Sequence, residues 1–309
     1  MSRAWRDQLH PELVTASRML PNVTFGPWAT RAFRLLFSLM PTPRPTGVSL
    51  RRVQLGAHDL WLFVPDGGPT TPAALLWTHG GGRIIGSPLQ DARLCARLAR
   101  THGIIVAATG YRLAPEHPFP AALDDCTASW EWLAAHATEL GIDPQRVVIG
   151  GESAGGGLAA ELAQRLRGAG GTQPAGQLLA YPMLDDRTAA REDLDGLKHL
   201  VWNNTSNRYG WSSYLGQPAG SDNVGKHAAA ARCVDLSGLP PAWVTIGTLD
   251  LFLEENRDYA SRLQAAGVPV TVHEIAGACH GYFSVGRREP VIQEMWASLD
   301  AFLRARLGG

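Results

Sequence analysis

Val147-Val148-Ile149-Gly150-Gly151-Glu152-Ser153-Ala154-Gly155-Gly156-Gly157 is the stretch whose reading decides the fold. A β-branched run leads into it, and an amphipathic segment with Leu158, Leu162 and Leu166 on one side leads out, so a strand turning sharply into a helix is expected. Gly151, Ser153 and Gly155 form the pattern G-x-S-x-G, in which glycines relieve crowding around a serine held in a strained turn. Ser153 is therefore the candidate nucleophile. Five-residue matches also arise by chance in Gly-rich loops; the strand before and the helix after favour the functional reading.

Three further features fall where such a serine needs them. His79-Gly80-Gly81-Gly82 directly follows the apolar strand Leu75-Leu76-Trp77. A tetrahedral intermediate carries its charge on oxygen, and backbone N–H groups unobstructed by Cβ atoms suit that charge. Gly81, Gly82 and the N–H of Ala154 are the candidate oxyanion hole. Asp250 ends Gly247-Thr248-Leu249-Asp250 after one apolar strand, and His280 lies in Gly277-Ala278-Cys279-His280-Gly281-Tyr282 after the next. Serine, then acid, then histidine, each at a strand's C-terminal end, is the order of an α/β-hydrolase triad. Asp250 also suits the cap of the following helix, and the two roles are compatible. Asp258 and Asp235 fit less well, inside a helix and before a strand. In this scheme His280 takes the proton of Ser153, Asp250 fixes the imidazole tautomer, and Ser153 attacks a carbonyl to give an acyl-enzyme that water hydrolyses.

The rest of the 309-residue chain, 45% hydrophobic, fits an α/β architecture. Strands are expected at 50–55, 60–64, 73–78, 104–108, 147–149, 177–181, 242–247 and 270–275. Helices are expected at about 88–102, 121–137, 154–168, 253–266 and 290–306. After residue 78 the two alternate, which implies a mostly parallel eight-stranded sheet covered by helices on both faces. Two helices precede it, around 5–20 and 28–40. The second carries Phe33, Leu36, Phe37 and Met40 at helical spacing and stops at Pro41-Thr42-Pro43-Arg44-Pro45. The long strandless interval from Tyr181-Pro182 to Leu239-Pro240, with Trp202, Trp211 and Tyr214, reads as an inserted helical lid.

Composition excludes several function classes. Formal charge is zero and there is no long basic block, so neither nucleic acid nor an anionic membrane surface is an expected partner. The two lysines, Lys198 and Lys226, follow no P-loop pattern. Gly155-Gly156-Gly157-Leu158-Ala159-Ala160 mimics a dinucleotide fingerprint but sits inside the post-nucleophile helix with no acid about twenty residues on. Cys95, Cys126, Cys233 and Cys279 lack a C-x-x-C pair, so neither a disulfide framework nor a zinc site is suggested, and no cofactor or metal is expected. With no secretory leader pattern and no run of ~18 apolar residues, stable membrane insertion is not expected and a cytoplasmic location is.

The chain also resembles the hormone-sensitive-lipase-like, or bacterial family IV, esterases. The resemblance is carried by residues 79–82, by Tyr111-Arg112-Leu113-Ala114-Pro115-Glu116-His117-Pro118-Phe119-Pro120-Ala121 with Asp124-Asp125, by residues 151–156, by Asp235-Leu236-Ser237-Gly238-Leu239-Pro240-Pro241, and by Asp250 and His280-Gly281. It implies a serine carboxylesterase acting on a small-molecule ester of short to medium acyl chain. A homodimer is a possible partner state that the sequence leaves open. It divides the chain into an N-terminal cap segment at 1–45, α/β-hydrolase core at 46–184 and 233–309, and a cap insertion at 185–232. It makes the tyrosine-containing motif at 111–121 a loop bracing the oxyanion strand.

Departures from the family pattern bear on substrate. The position after the glycines, usually aromatic or aliphatic, is Arg83, which could recognise an anion but is better read as exposed or salt-bridged. The elbow has Glu152 where Asp is usual, and Glu152 is expected to hold the elbow through an ion pair. The acid loop reads Asp250-Leu251-Phe252-Leu253-Glu254-Glu255, with Glu254 as a supporting acid beside His79 and Gly80. Cys279 reads as a small buried filler. The competing functions are an amidase or acyltransferase with the same triad, and a non-catalytic small-molecule receptor on this fold.

Overall fold

The computed structural model describes residues 8–18, 20, 22–39, 41–197, 199–284 and 289–308. Its strands are β1 (Val48–Leu55), β2 (His58–Pro65), β3 (Ala74–Thr78), β4 (Ile105–Gly110), β5 (Val147–Glu152), β6 (Gly176–Ala180), β7 (Ala242–Gly247) and β8 (Val270–Ile275). They form one sheet in the order β1-β2-β4-β3-β5-β6-β7-β8. The pairs β1·β2 and β2·β4 are antiparallel and every later pair is parallel, as the alternation predicts. β3, β5, β6 and β7 are buried along their whole length, which is why they read as continuous apolar runs rather than alternating ones.

The main helices are α1 (Pro27–Leu39), α2 (Ala92–His102), α3 (Ala121–Ala135), α4 (Ala154–Ala169), α5 (Asn204–Leu215), α6 (Leu253–Ala265) and α7 (Pro290–Leu307). α2, α3, α4, α6 and α7 pack on the sheet, α4 against β5, β6 and β3, and α7 against β5 and β7. The fold is that of an α/β-hydrolase, with helices on both faces of the sheet. Between β6 and β7 the described residues form α5, a short helix (Asp186–Ala190), two 3-10 turns (Glu192–Leu194 and Ala230–Arg232) and loops, with no strand.

Three expectations need correction. β5 continues three residues past Ile149, because Gly150 and Gly151 stay in the ladder against Leu178 and Leu179. The absence of side chains there fits close packing: a Cβ on Gly150 would come within 2.9 Å of Leu178. Of the helix expected around 5–20, the part before residue 8 and residue 19 lie outside the described residues, and the described part holds a 3-10 turn (Pro11–Leu13) followed by one α turn (Val14–Ser17). There the Ser17 hydroxyl donates back to the Val14 carbonyl at 2.9 Å, a local bond that competes with helix propagation. In α1, Phe33 and Phe37 turn inward, whereas Leu36 is exposed rather than part of the packing face; Met40 lies outside the described residues.

Candidate active site

The strand-to-helix turn is as tight as its glycines suggest. Ser153 sits at φ 53°, ψ −121°, a conformation that strains any residue with a Cβ. The neighbouring backbones leave room for nothing larger than glycine beside it: a Cβ on Gly151 would lie 2.5 Å from the Thr78 carbonyl oxygen, and one on Gly155 2.1 Å from the same atom. The Thr78 hydroxyl, at the end of β3, lies 2.9 Å from the Gly150 oxygen and 2.7 Å from the Gly155 oxygen, tying that strand to the turn. The Ser153 N–H donates to Ala180 on β6, and its carbonyl accepts from Met183 and Gly157. Strain at one residue is thus held by bonds from three directions.

Ser153, His280 and Asp250, separated by 127 and 30 positions in the chain, meet in one line. His280 Nε2 is 2.9 Å from Ser153 Oγ, and His280 Nδ1 is 2.7 Å from Asp250 Oδ2. All three residues are buried. The other Asp250 oxygen accepts the Phe252 N–H at 2.9 Å, so the aspartate shapes the turn before α6 and still faces the imidazole. Tyr181 and Phe252 flank the His280 ring, with centroids at 4.6 and 5.3 Å. The loops that carry acid and base are bonded to each other through Leu249 N–H to Ala278 O and Gly277 N–H to the Thr248 hydroxyl.

The glycine loop after β3 lies over the same serine. Gly81 (φ 114°) and Gly82 (φ 60°) adopt left-handed backbone conformations, and their Cα atoms are approached so closely that a Cβ would lie 2.2 Å from the Ile85 oxygen and 2.0 Å from the Trp202 ring, respectively. Ala154 is the first residue of α4, where the N–H has no carbonyl a turn earlier in the helix to bond and the helix dipole is positive. His79 is wholly buried, stacks on Tyr111 at 4.2 Å, and has Nδ1 2.8 Å from the Gly80 oxygen. Burial pushes its imidazole down to about 4, so it stays neutral near pH 7. The Tyr111 hydroxyl donates to the His79 carbonyl at 2.9 Å and Ala114 N–H to the Arg83 carbonyl at 2.9 Å. The 111–121 segment therefore braces the oxyanion strand, as the resemblance implies.

Above the serine is a cavity of about 290 Å³. Its walls join the loop glycines to Phe33 and Phe37 of α1, to Val201 and Trp202 from the interval between β6 and β7, and to Tyr181. A nucleophile with its base, a fixed acid, nearby N–H donors and a largely apolar hollow can carry out acyl transfer.

Comparison with known proteins agrees with this geometry. The profile of a family described as the alpha/beta hydrolase fold matches residues 75–284. Esterase LipI of Mycobacterium tuberculosis is 35% identical over 238 residues, 73% of this chain and 72% of that one. The structure described as a bacterial heroin esterase superposes with a TM-score of 0.85 at 34% identity, covering 97% of this chain and 98% of the other. An esterase from the bacterial hormone-sensitive lipase family superposes at 0.78 with 27% identity over 99% of each chain. This chain belongs to the hormone-sensitive-lipase-like esterases of the α/β-hydrolase fold. It is a serine carboxylesterase.

Not every residue singled out in the sequence joins the esterase's site. Glu254 does not: it is exposed on α6 and paired with Arg257 at 3.0 Å. Its neighbour Glu255 is the buried one, accepting the Leu184 N–H at 2.7 Å and the Thr188 hydroxyl, and burial raises its carboxyl well above the usual range. Adjacent helical positions point about 100° apart, and both are glutamates, so the sequence does not distinguish them. Glu152 lines the cavity and accepts the Tyr181 hydroxyl at 3.0 Å. Arg83 is wholly buried and salt-bridged to Glu161 rather than exposed, and it does not line the cavity. Cys279 is buried beside His280, its thiol pushed up to about 12 by burial, which suits a filler and not a reactive group. Sequence reasoning missed Phe25, Tyr181, Val201 and Trp202 as cavity walls; the aromatic residues near strand ends and caps were the available signal.

Among the described residues no cluster of His, Cys, Asp and Glu is arranged to hold a metal ion, and no helix is long and apolar enough to cross a membrane.

Proposed function

We propose that the esterase works through Ser153 as nucleophile, His280 as general base and then general acid, and Asp250 as the group that orients and stabilises the imidazolium. The unbroken line of 2.7 and 2.9 Å contacts from Asp250 through His280 to Ser153 carries this reading. With the proton on Nδ1 held by Asp250, Nε2 accepts the Ser153 proton as Oγ attacks the ester carbonyl. The N–H groups of Gly81, Gly82 and Ala154 receive the oxyanion. Collapse expels the alcohol, protonated by His280, and water repeats the sequence on the acyl-enzyme. His79 and Gly80 support this by placing the loop, and Glu152 by fixing Tyr181 against the imidazole.

The substrate is a small ester with a short to medium acyl chain. A cavity near 290 Å³ lies at the small end of ligand pockets, and its walls offer apolar faces to the acyl group. Residues 1–45 and 185–232 act as a cap over the core at 46–184 and 233–309, since Phe33, Phe37, Val201 and Trp202 come from those two segments. Four free cysteines, three of them buried, support a reducing, cytoplasmic location. The sheet ends at β8, where Val272 is 41% exposed, an edge that a second copy could extend in a homodimer.

The test is hydrolysis of p-nitrophenyl esters of increasing chain length. Turnover is expected to peak at or below medium chains and to fall by several orders of magnitude in Ser153→Ala. Unchanged turnover in that variant would overturn the assignment of the nucleophile.

A further inference from the structure

Arg83 is a cation enclosed by two segments of the fold, and the reaction described above does not use it. One Nη is 2.7 Å from Glu161 Oε1 on α4 and 3.4 Å from the Met183 carbonyl; the other is 3.2 Å from the Ala228 carbonyl. The guanidinium lies over the rings of Trp211 and Tyr214 on α5, at 4.2 and 4.1 Å from their centroids. The Tyr214 hydroxyl donates to the second Glu161 oxygen at 3.2 Å. Burial raises the Glu161 carboxyl while Arg83 and Tyr214 pull it back, and proximity to Glu161 keeps the guanidinium charged.

What this box anchors is a glycine-rich backbone that Tyr111, Ala114 and Arg34 hold from the other side, through the His79, Arg83 and Ile84 carbonyls. Gly81, Gly82 and Gly86 all have positive φ, and glycine visits such conformations as readily as others, so the conformation there is set by surrounding contacts and not by intrinsic backbone preference. Arg83 itself is at φ 63°, unusual for a residue with a Cβ and sustained only where the surroundings fix it. α5 also presses on this loop directly: a Cβ on Gly210 would lie 2.9 Å from the Gly82 oxygen.

Building on the esterase reading of Ser153, we propose that Arg83 is a positioning residue: by clamping α5 and α4 onto the turn after Gly82, it sets where the Gly81 and Gly82 N–H groups stand relative to Ser153. Arg83 touches no reacting atom. It acts through the loop, so its loss should weaken binding of the oxyanion and leave binding of the uncharged ester almost unchanged.

Removing Arg83 alone would leave Glu161 buried without its cation and destabilise the protein, whereas replacing both partners by apolar groups of similar volume is commonly tolerated. The test is therefore Arg83→Met combined with Glu161→Leu, with Arg83→Lys as a milder companion that keeps the charge but not the planar stack. Fold is checked by circular dichroism and thermal unfolding. Kinetics on p-nitrophenyl butyrate are read beside two inhibitors of the same shape. One is an alkyl trifluoromethyl ketone: Ser153 Oγ adds to its carbonyl carbon, the serine proton passes to His280, and the C=O electron pair becomes the hemiketal oxyanion. The other is the corresponding alkyl carbinol, which forms no adduct.

In the folded double variant kcat should fall roughly tenfold or more, toward the loss seen when an oxyanion donor is removed, with KM within about threefold. The trifluoromethyl ketone should weaken by the same factor as kcat/KM and the carbinol should not; Arg83→Lys should show the same pattern at a smaller factor. The inference is overturned if either folded variant keeps parental kcat and ketone affinity, or if both inhibitors weaken alike, which would mean that Arg83 shapes the cavity. Turnover surviving Ser153→Ala would be a different failure, that of the nucleophile assignment, and would show in the parent background.

Discussion

Asp250 divides its two oxygens between the Phe252 N–H and His280 Nδ1, and we expect the second contact to fix the imidazole tautomer that faces the serine. Asp250→Asn preserves the shape but can present an amide N–H to Nδ1, which leaves Nε2 protonated and unable to accept from Ser153. We expect kcat to fall about 10⁴-fold, with thermal unfolding little changed. Steady-state kinetics on p-nitrophenyl butyrate beside a melting curve check both halves. At this scale the sequence was legible for the meeting of Ser153, Asp250 and His280 in one line, because glycine spacing and loop position after each strand are local properties. It was not legible for Glu254 against Glu255, or for the partner of Arg83, because helix phase and a contact 78 positions away are not encoded in neighbouring residues.

Among the elements, α1 illustrates how a segment outside the sheet reaches the chemistry. Arg34 on this helix donates to the Ile84 carbonyl at 2.7 Å and to the Ala114 carbonyl, and pairs with Glu116 at 2.7 Å. These partners lie on the oxyanion loop and on the segment that braces it, while Phe33 and Phe37 of the same helix wall the cavity. Arg34→Ala should loosen this docking by about 1 kcal/mol, because the contacts are partly solvated. The expected outcome is a roughly fivefold rise in KM with kcat nearly unchanged, measured on a butyrate ester. Equal losses in both parameters would assign Arg34 to the oxyanion loop instead. Periodicity placed α1 correctly but not its inward face: Leu36 belongs to the same apolar spacing as Phe33 and Phe37, yet it is 57% exposed.

For the whole molecule, His79 links stability to pH. Its imidazole is held near 4 by burial against an ordinary value of 6.5. The unfolded chain therefore binds this proton at pH values where the folded chain does not, so stability rises with pH across that window. The contribution is present above 6.5 and is lost as pH falls toward 4. Between pH 7.5 and pH 5 the loss amounts to about 2 kcal/mol from this residue. Urea unfolding at the two pH values should show that difference, and His79→Gln should reduce the slope by the same amount even if its stability at pH 7.5 is lower. A variant with the parental slope would show that His79 is not the group responsible.

The sequence by itself determined the strand–helix alternation, the eight strands, the serine elbow and the loops that carry Asp250 and His280, because each follows from side-chain period, glycine conformational freedom or the chemistry of a short motif. The tertiary structure decided what surrounds them. The Phe25 N–H reaches the Ser206 hydroxyl across 181 positions. Trp202 closes on Gly82, Tyr181 sits between Glu152 and His280, and Arg83 is enclosed between α4 and α5. These contacts depend on how two irregular helical segments pack over one sheet. Packing is set by complementary shapes and buried charge brought together from distant parts of the chain, which no local pattern records.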